Sequence, residues 1–256
     1  MTQLKRALAR KKSLLSTLSF LAAIFLMFYV TNSPRIVGAS ATQRVLPIYS
    51  VERDNKVIAL SFDAAWGNED TQQLIDILNT YNVKATFFLV GDWVDRYPES
   101  VKQLYDAGME IGNHSNDHAH FTKLTSEGIR TNVSDCNEKI KAITGVSPTL
   151  FRCPYGEYDD HVVTAINNMG MQVIQWDVDS LDWKDLSAEE IYSRVTSKAS
   201  SGSICLFHNA ALHTPEALPS IIEFLLSEGY SIVPVSQLIY TENYTIDHTG
   251  RQWSSS

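Results

Sequence analysis

From residue 57 onward the chain alternates between short β-prone runs and longer helical stretches, and no other feature limits its fold so tightly. The β-prone runs cover 57–62, 85–90, 109–112, 149–152, 171–176, 203–207 and 230–234. Helical stretches lie between them at 69–80, 99–107, 126–144, 159–168, 188–200 and 215–228. Three helices have a legible stop, Ala107-Gly108, Met169-Gly170 and Glu228-Gly229, each glycine directly ahead of the next strand. A glycine there ends a helix in the left-handed region without steric cost. Alternation at this spacing argues for parallel strands joined by crossover helices. Seven strand units of similar length suit a closed or nearly closed barrel better than an open sheet. The predicted fold class is therefore α/β, a distorted (β/α)7-type barrel. A chain of 256 residues with 44% hydrophobic content can bury one large core, so disorder is not the default.

Ahead of that barrel stands a different kind of sequence. Residues 14–30 form an apolar run of 17, broken only by Ser16, Thr17 and Ser19, and five basic residues precede it. A basic flank followed by an apolar segment directs export, and a run of this length is at the short end of what spans a bilayer. The expected organisation is a cytoplasmic basic segment (1–13), an uncleaved transmembrane signal-anchor (14–30), a linker (31–50), a folded domain (51–240) and a polar tail without clear period (241–256). That makes a single-pass protein of the cell membrane with its domain extracytoplasmic. Cleavage near Ala39-Ser40-Ala41 would release it instead. The first 44 residues hold seven basic residues and no acidic ones; 14 basic residues remain beyond them against all 29 acidic ones, a net of −15. So acidic a domain repels nucleic acid. Cys136, Cys153 and Cys205 are odd in number and far apart, which argues against a disulfide framework.

The polar residues gather at the strand ends. Gly112-Asn113-His114-Ser115-Asn116-Asp117-His118 follows the third strand. Two histidines four apart can aim both imidazoles at one point, a common way to offer neutral nitrogen ligands to a zinc-like ion. In parallel β/α barrels catalytic groups occupy the carboxyl ends of the strands. The first strand ends in Ser61-Phe62-Asp63-Ala64-Ala65-Trp66-Gly67 and the fourth in Phe151-Arg152-Cys153-Pro154-Tyr155-Gly156. The fifth ends in Trp176-Asp177-Val178-Asp179-Ser180-Leu181-Asp182-Trp183 and the sixth in Leu206-Phe207-His208-Asn209. Taken singly, these are loop carboxylates or satisfied histidines, Arg152 is a surface salt bridge, and Trp183 is as readily core packing as a pocket wall. Jointly, on one rim, they suggest a hydrolytic metal site.

These five segments resemble the five motifs of the NodB-type polysaccharide deacetylases, carbohydrate esterase family four, over about 57–239 and in the family's order. His-Ser-x-x-His and Arg-x-Pro-Tyr-Gly are the specific ones. Phe-Asp-Ala-Ala-Trp-Gly-Asn and the run beginning Phe-His-Asn-Ala-Ala resemble the membrane-anchored, PdaB-like branch of spore-forming bacteria. The resemblance implies a NodB homology domain that removes acetyl groups from N-acetylated amino sugars of a peptidoglycan-like cell-wall polysaccharide. It implies a divalent metal cofactor, zinc first, with cobalt or manganese as alternatives. His114 and His118 match the metal ligands, Asp63 the general base and His208 the general acid. Arg152 would hold Asp63 ionised, and Asp182 would raise the pKa of His208 by pairing with it. Tyr155 would offer its backbone N–H to the developing oxyanion, and Trp183 and Leu206 would form the slot for the acetyl methyl. Asp63 and His208 are expected on loops, so replacing either should spare the fold.

The chain breaks the pattern at Ala64, where the family places the aspartate that is its third metal ligand. An alanine methyl coordinates nothing. Asp63 itself then ligates the ion, or the ion sits more weakly on two histidines, water and substrate, or the chain binds glycan without cutting it. Asn116, Asp117 and Cys153 are candidate substitute ligands. A glycosidase would need two carboxylates flanking the scissile bond; Asp63 and Asp182 could pose as them, but the histidine pair would be idle.

Overall fold

The computed structural model describes residues 17–27, 29 and 44–255. The chain divides into two units, Met1–Arg44 and Val45–Ser256. In the first, residues 17–27 and 29 are helical. Among the described residues no helix is long and apolar enough to cross a membrane. The basic segment 1–13, positions 14–16, 28 and 30 of the apolar run, and 31–43 of the linker lie outside the described residues.

The second unit opens with β1 (Ser50–Val51) and is built on eight parallel strands: β2 (Val57–Ala64), β3 (Thr86–Leu89), β4 (Glu110–Asn113), β5 (Leu150–Phe151), β6 (Gln172–Val173), β7 (Val178–Asp179), β8 (Ile204–His208) and β9 (Ser231–Ile232). Their order is β6-β5-β4-β3-β2-β8-β7, with β9 paired to the start of β2. This order forces the sheet to curl. Val173 and Val178 lie on its opposite edges, five residues apart in the chain. Five residues span at most about 18 Å, whereas seven flat strands at about 4.8 Å spacing would hold the edges roughly 29 Å apart. Only a nearly closed barrel satisfies both. The fold class read from the sequence is the one observed, with β7 added after the fifth predicted strand.

The seam between the two edges is filled by the segment before β2. Ile48 bridges to Ile174 and Ser50 to Ser203, and Val51 N–H donates to Gly202 O at 2.9 Å. Position 202 has to be glycine: its φ is +80°, and a Cβ there would fall 1.6 Å from the Val51 carbonyl oxygen. The folded unit therefore begins at Val45 rather than Val51. The polar tail also has structure. β10 (Tyr244–Ile246) pairs antiparallel with β11 (Arg251–Ser254), and β11 pairs parallel with β1. Gln252 is fully buried there, accepting from Tyr240 N–H and donating to Tyr240 O, both at 2.7 Å. These strands are stitched by polar groups, so they lack the apolar alternation that marks a strand in sequence.

Among the described residues of this unit, eight α-helices cover the outside: α1 (Thr71–Thr80), α2 (Gly91–Arg96), α3 (Pro98–Asp106), α4 (Ser126–Thr144), α5 (Asp160–Asn167), α6 (Ala188–Thr196), α7 (Thr214–Ser227) and α8 (Val235–Leu238). The stops at Gly108, Gly170 and Gly229 are as predicted, with φ of +77°, +76° and +84°. α4 starts where Thr125 accepts from Gly128 N–H, and α6 starts with a reciprocal Ser187–Glu190 capping box. α1 buries Leu74, Ile75 and Leu78 on one face, and full burial of such a side chain is worth about 1.5–3 kcal/mol. Strand β2 divides the core. Ile58, Leu60, Phe62 and Ala64 join the apolar layer shared with the helices. Val57 and Ala59 belong to the barrel interior, with Phe88, Ile174 and Ile204. The period-two alternation of a strand thus turns Asp63 inward at the carboxyl end of the barrel.

Candidate active site

Arg152 follows β5 and is completely buried, its guanidinium 4.1 Å from the centre of the Phe88 ring. It donates to Asp63 Oδ1 at 2.8 Å, to Ser61 Oγ at 2.8 Å and to Gln175 O at 3.2 Å. This is an interior ion pair, not the surface bridge that an isolated arginine suggests. Burial pushes the Asp63 carboxyl upward, but its cationic surroundings, above all the Arg152 guanidinium bonded to it, outweigh burial and hold the group below its usual range.

The other carboxylate oxygen, Asp63 Oδ2, lies 3.4 Å from His114 Nε2. His114 Nδ1 sits 2.8 Å from the Arg152 carbonyl oxygen, which can only accept, so Nδ1 carries the proton. Burial lowers the His114 pKa despite Asp63, so the ring is neutral and Nε2 holds a lone pair. Two electron-rich atoms then face each other with no hydrogen between them. Adjacent donors on a tetrahedral zinc at about 2.0–2.1 Å are separated by about 3.3 Å, so this spacing suits a shared cation. His118 flanks the pair, its ring centre 5.0 Å from that of His114. Burial and His114 lower its pKa to about 4, which also leaves it neutral. Among the described residues, however, no group of three or more His, Cys, Asp or Glu is arranged to hold a metal. The donor set is short; Ala64, where the family resemblance expects a third ligand, is fully buried in the apolar layer.

None of the candidate substitutes fills the gap. Cys153 packs among Phe121, Phe151 and Val162, and burial pushes its thiol up to about 12. Asp117 Oδ1 already accepts from Ala119 N–H and Asn132 Nδ2. The Asn116 carboxamide oxygen lies against Gly91, where a Cβ would come within 2.4 Å of it.

A second pair stands beside the first, because β8 pairs with β2 in a register that sets His208 opposite Asp63. His208 Nδ1 is 2.7 Å from Asp182 Oδ1. Asp182 is fully buried and also accepts from His208 N–H, Trp183 N–H and Thr214 Oγ1. Burial opposes the charged imidazole, yet the bond and charge of Asp182 prevail and raise its pKa. Thr214, at the start of α7, had no sequence signal beyond its place in the His208 run.

Asp63, His114, His118 and His208 line one pocket of about 430 Å³ together with Tyr155, Trp183, Leu206 and Trp66. Trp183 is half exposed, so it is a wall and not core. Tyr155 stacks on His120 with ring centres 4.5 Å apart and meets His118 edge-on at 4.4 Å. Of the eight non-glycine residues with positive φ among the described ones, six (Ser115, His118, Tyr155, Leu181, Asp185 and Ala210) stand on the loops that follow β4, β5, β7 and β8. Such strain persists where surrounding bonds over-determine the backbone; His118 N–H, for example, is held by Ser115 Oγ at 2.8 Å.

A curled parallel sheet with a carboxylate–arginine pair and a carboxylate–histidine pair in one rim pocket defines a β/α barrel furnished for acid–base chemistry. A family profile described as polysaccharide deacetylase matches residues 50–174. The peptidoglycan-N-acetylmuramic acid deacetylase PdaC of Bacillus subtilis is 38% identical over 189 residues, 74% of this chain and 40% of PdaC. A peptidoglycan-N-acetylglucosamine deacetylase of Bacillus cereus is 34% identical, over 75% of this chain and 92% of its own length. Among solved structures, BA3943 of Bacillus anthracis, described as a CE4 family pseudoenzyme, is similar with a TM-score of 0.72 and 36% identity, over 75% of this chain and 68% of its own; a mutant of it with restored activity is equally similar at 0.72. The chain belongs to the polysaccharide deacetylase family. It spans well under two thirds of the length of some curated relatives, such as PdaC. These relatives do not separate the PdaB-like branch from its sisters.

Proposed function

We propose that the domain hydrolyses the N-acetyl groups of amino sugars in a peptidoglycan-like glycan. One observation carries this: Asp63, held by Arg152, and His208, held by Asp182, open onto the same pocket. Amide hydrolysis needs a base for the attacking water and a proton for the departing amine. Asp63, kept ionised, takes the proton from water. His208, its acid form favoured by Asp182, delivers one to the sugar nitrogen. The Tyr155 backbone N–H is assigned to the oxyanion, and Leu206 and Trp183 to the acetyl methyl. A divalent ion would be held by His114 and His118, where it would polarise the acetyl carbonyl; zinc suits such nitrogen donors. The basic cluster and apolar run at the N-terminus support an extracytoplasmic domain tethered to the membrane. Acetate released from N-acetylglucosamine oligomers and from purified peptidoglycan, with and without added zinc, cobalt or manganese, is the direct test.

A second reading is favoured by Ala64 and by the similarity to a protein described as a pseudoenzyme. In it the domain binds glycan and leaves it intact. Glycan binding without acetate release under every metal condition would establish that reading and overturn the first.

A further inference from the structure

The acid–base assignment leaves one wall of the pocket without a role. Trp66, just beyond β2, is 50% exposed, and its ring lies 5.4 Å from that of His208 at an interplanar angle of 34°. A single exposed aromatic needs no explanation, but this one is held on both sides. The Asn209 carboxamide accepts from Ala65 N–H at 3.2 Å and donates to Gly67 O, which also accepts from Trp93 Nε1 at 2.8 Å. One residue further, Ala210 N–H donates to the buried Asp70 at 2.9 Å. The loop that carries Trp66 is thus braced to the loop after β8 before any ligand arrives. A large apolar ring kept partly in solvent on a loop braced in this way is preorganised for a ligand face.

We propose that Trp66 is the stacking platform for the pyranose ring that bears the scissile amide, so that the site recognises an amino sugar in ring form and not an acetamide alone. This rests on the deacetylase reading for its choice of ligand. A pyranose presents a face of C–H bonds, and the indole face carries the negative end of its quadrupole, so the two attract beyond their buried area. Placement agrees with the chemistry. His208 must reach the departing nitrogen, so the sugar ring attached to that nitrogen lies beside His208, where Trp66 is.

Calorimetric titration of the full-length chain with the N-acetylglucosamine tetrasaccharide tests this, using wild type, Trp66→Ala, Trp66→Leu, Trp66→Phe and, as a remote exposed control, Tyr105→Ala. Trp66→Ala and Trp66→Leu should each weaken binding about 5- to 10-fold, the scale of one aromatic contact, while Trp66→Phe keeps most of the affinity. Thermal midpoints should stay near wild type, which separates a lost platform from a lost fold. Leucine stays apolar but has no ring, so equal affinity for wild type and Trp66→Leu overturns the proposal. So does a wild type that fails to bind the tetrasaccharide, or an equal loss in Tyr105→Ala. Acetate release is scored separately. Wild type that binds with the predicted Trp66 dependence but releases no acetate leaves the platform standing and removes the catalytic reading.

Discussion

Arg152 places a permanent charge in the barrel interior with one carboxylate to balance it. Breaking one partner of a buried pair leaves the other charge desolvated, at a cost of about 3–5 kcal/mol. Asp63→Asn and Arg152→Met should therefore each lower the thermal midpoint, by roughly 6–20 °C for a domain of this size, as calorimetry would show. The expectation that Asp63 can be replaced without harm to the fold is thus corrected: the residue is buried within β2, not on a loop. Asp63→Asn should also cut acetate release about 10²- to 10⁴-fold. His208, at the end of β8 and partly accessible, should show the rate loss in His208→Ala with a smaller change in stability. The Asp182 bond sets the sign of the pH response. Since His208 is raised in the folded protein, its acid form survives to higher pH than a free imidazole, and Asp182→Asn should move the alkaline limb of the rate profile to lower pH. Stability follows the same sign. The contribution of the pair is complete below about pH 6.5, the ordinary histidine value, and is lost as pH rises through the raised one. Urea midpoints measured upward from pH 6 should decline more in wild type than in Asp182→Asn.

At the scale of elements, the end of β2 is where the proposed ion site can be tested. Ala64 lies in the apolar layer, and its carbonyl accepts from Val90 N–H at 3.1 Å. Ala64→Asp would set a carboxylate there, destabilising the metal-free protein because an unpaired buried charge is costly. Ion binding would offset that cost through linkage. The expected signature is a thermal midpoint below wild type without metal and a larger rise on adding zinc, with zinc affinity up by about 10-fold or more. Equal zinc shifts in the two proteins would show that position 64 does not reach the ion. The seam makes a second element-scale prediction. Removing everything before Val57 deletes the Ile48 and Ser50 bridges and the partner of β11. A chain starting at Val57 should unfold at markedly lower urea than one starting at Val45.

For the whole molecule, the expected arrangement is a barrel that folds alone and a tether that locates it. A fragment covering 45–255 should be soluble and cooperative in thermal unfolding, whereas the full-length protein should sediment with membranes and resist extraction by high salt. A mature N-terminus near Ala41 on protein isolated from cells would exclude the anchor. Barrel closure is a global property of the strand order. It brings the ends of β2, β4, β5 and β8 to one rim, so that residues as far apart as Asp63 and His208 meet across a single backbone register.

By itself the sequence determined the alternation of strands and helices, the three glycine stops, and the residue types at each strand end. Those are local: a positive φ, a helical period or a motif is written within a few neighbouring residues. It also marked Ala64 as a departure. Only the tertiary structure decided that Arg152 is an interior partner of Asp63, that Trp183 and Trp66 are pocket walls, and that Cys153 and Asp117 are committed elsewhere. It alone showed β7, α2 and α8, and a hairpin in the polar tail. Two-residue strands and one-turn helices carry too few side chains to show a period, and their bonds go to groups distant in the chain. Burial and partner choice are sums over such distant neighbours, which no window of sequence contains.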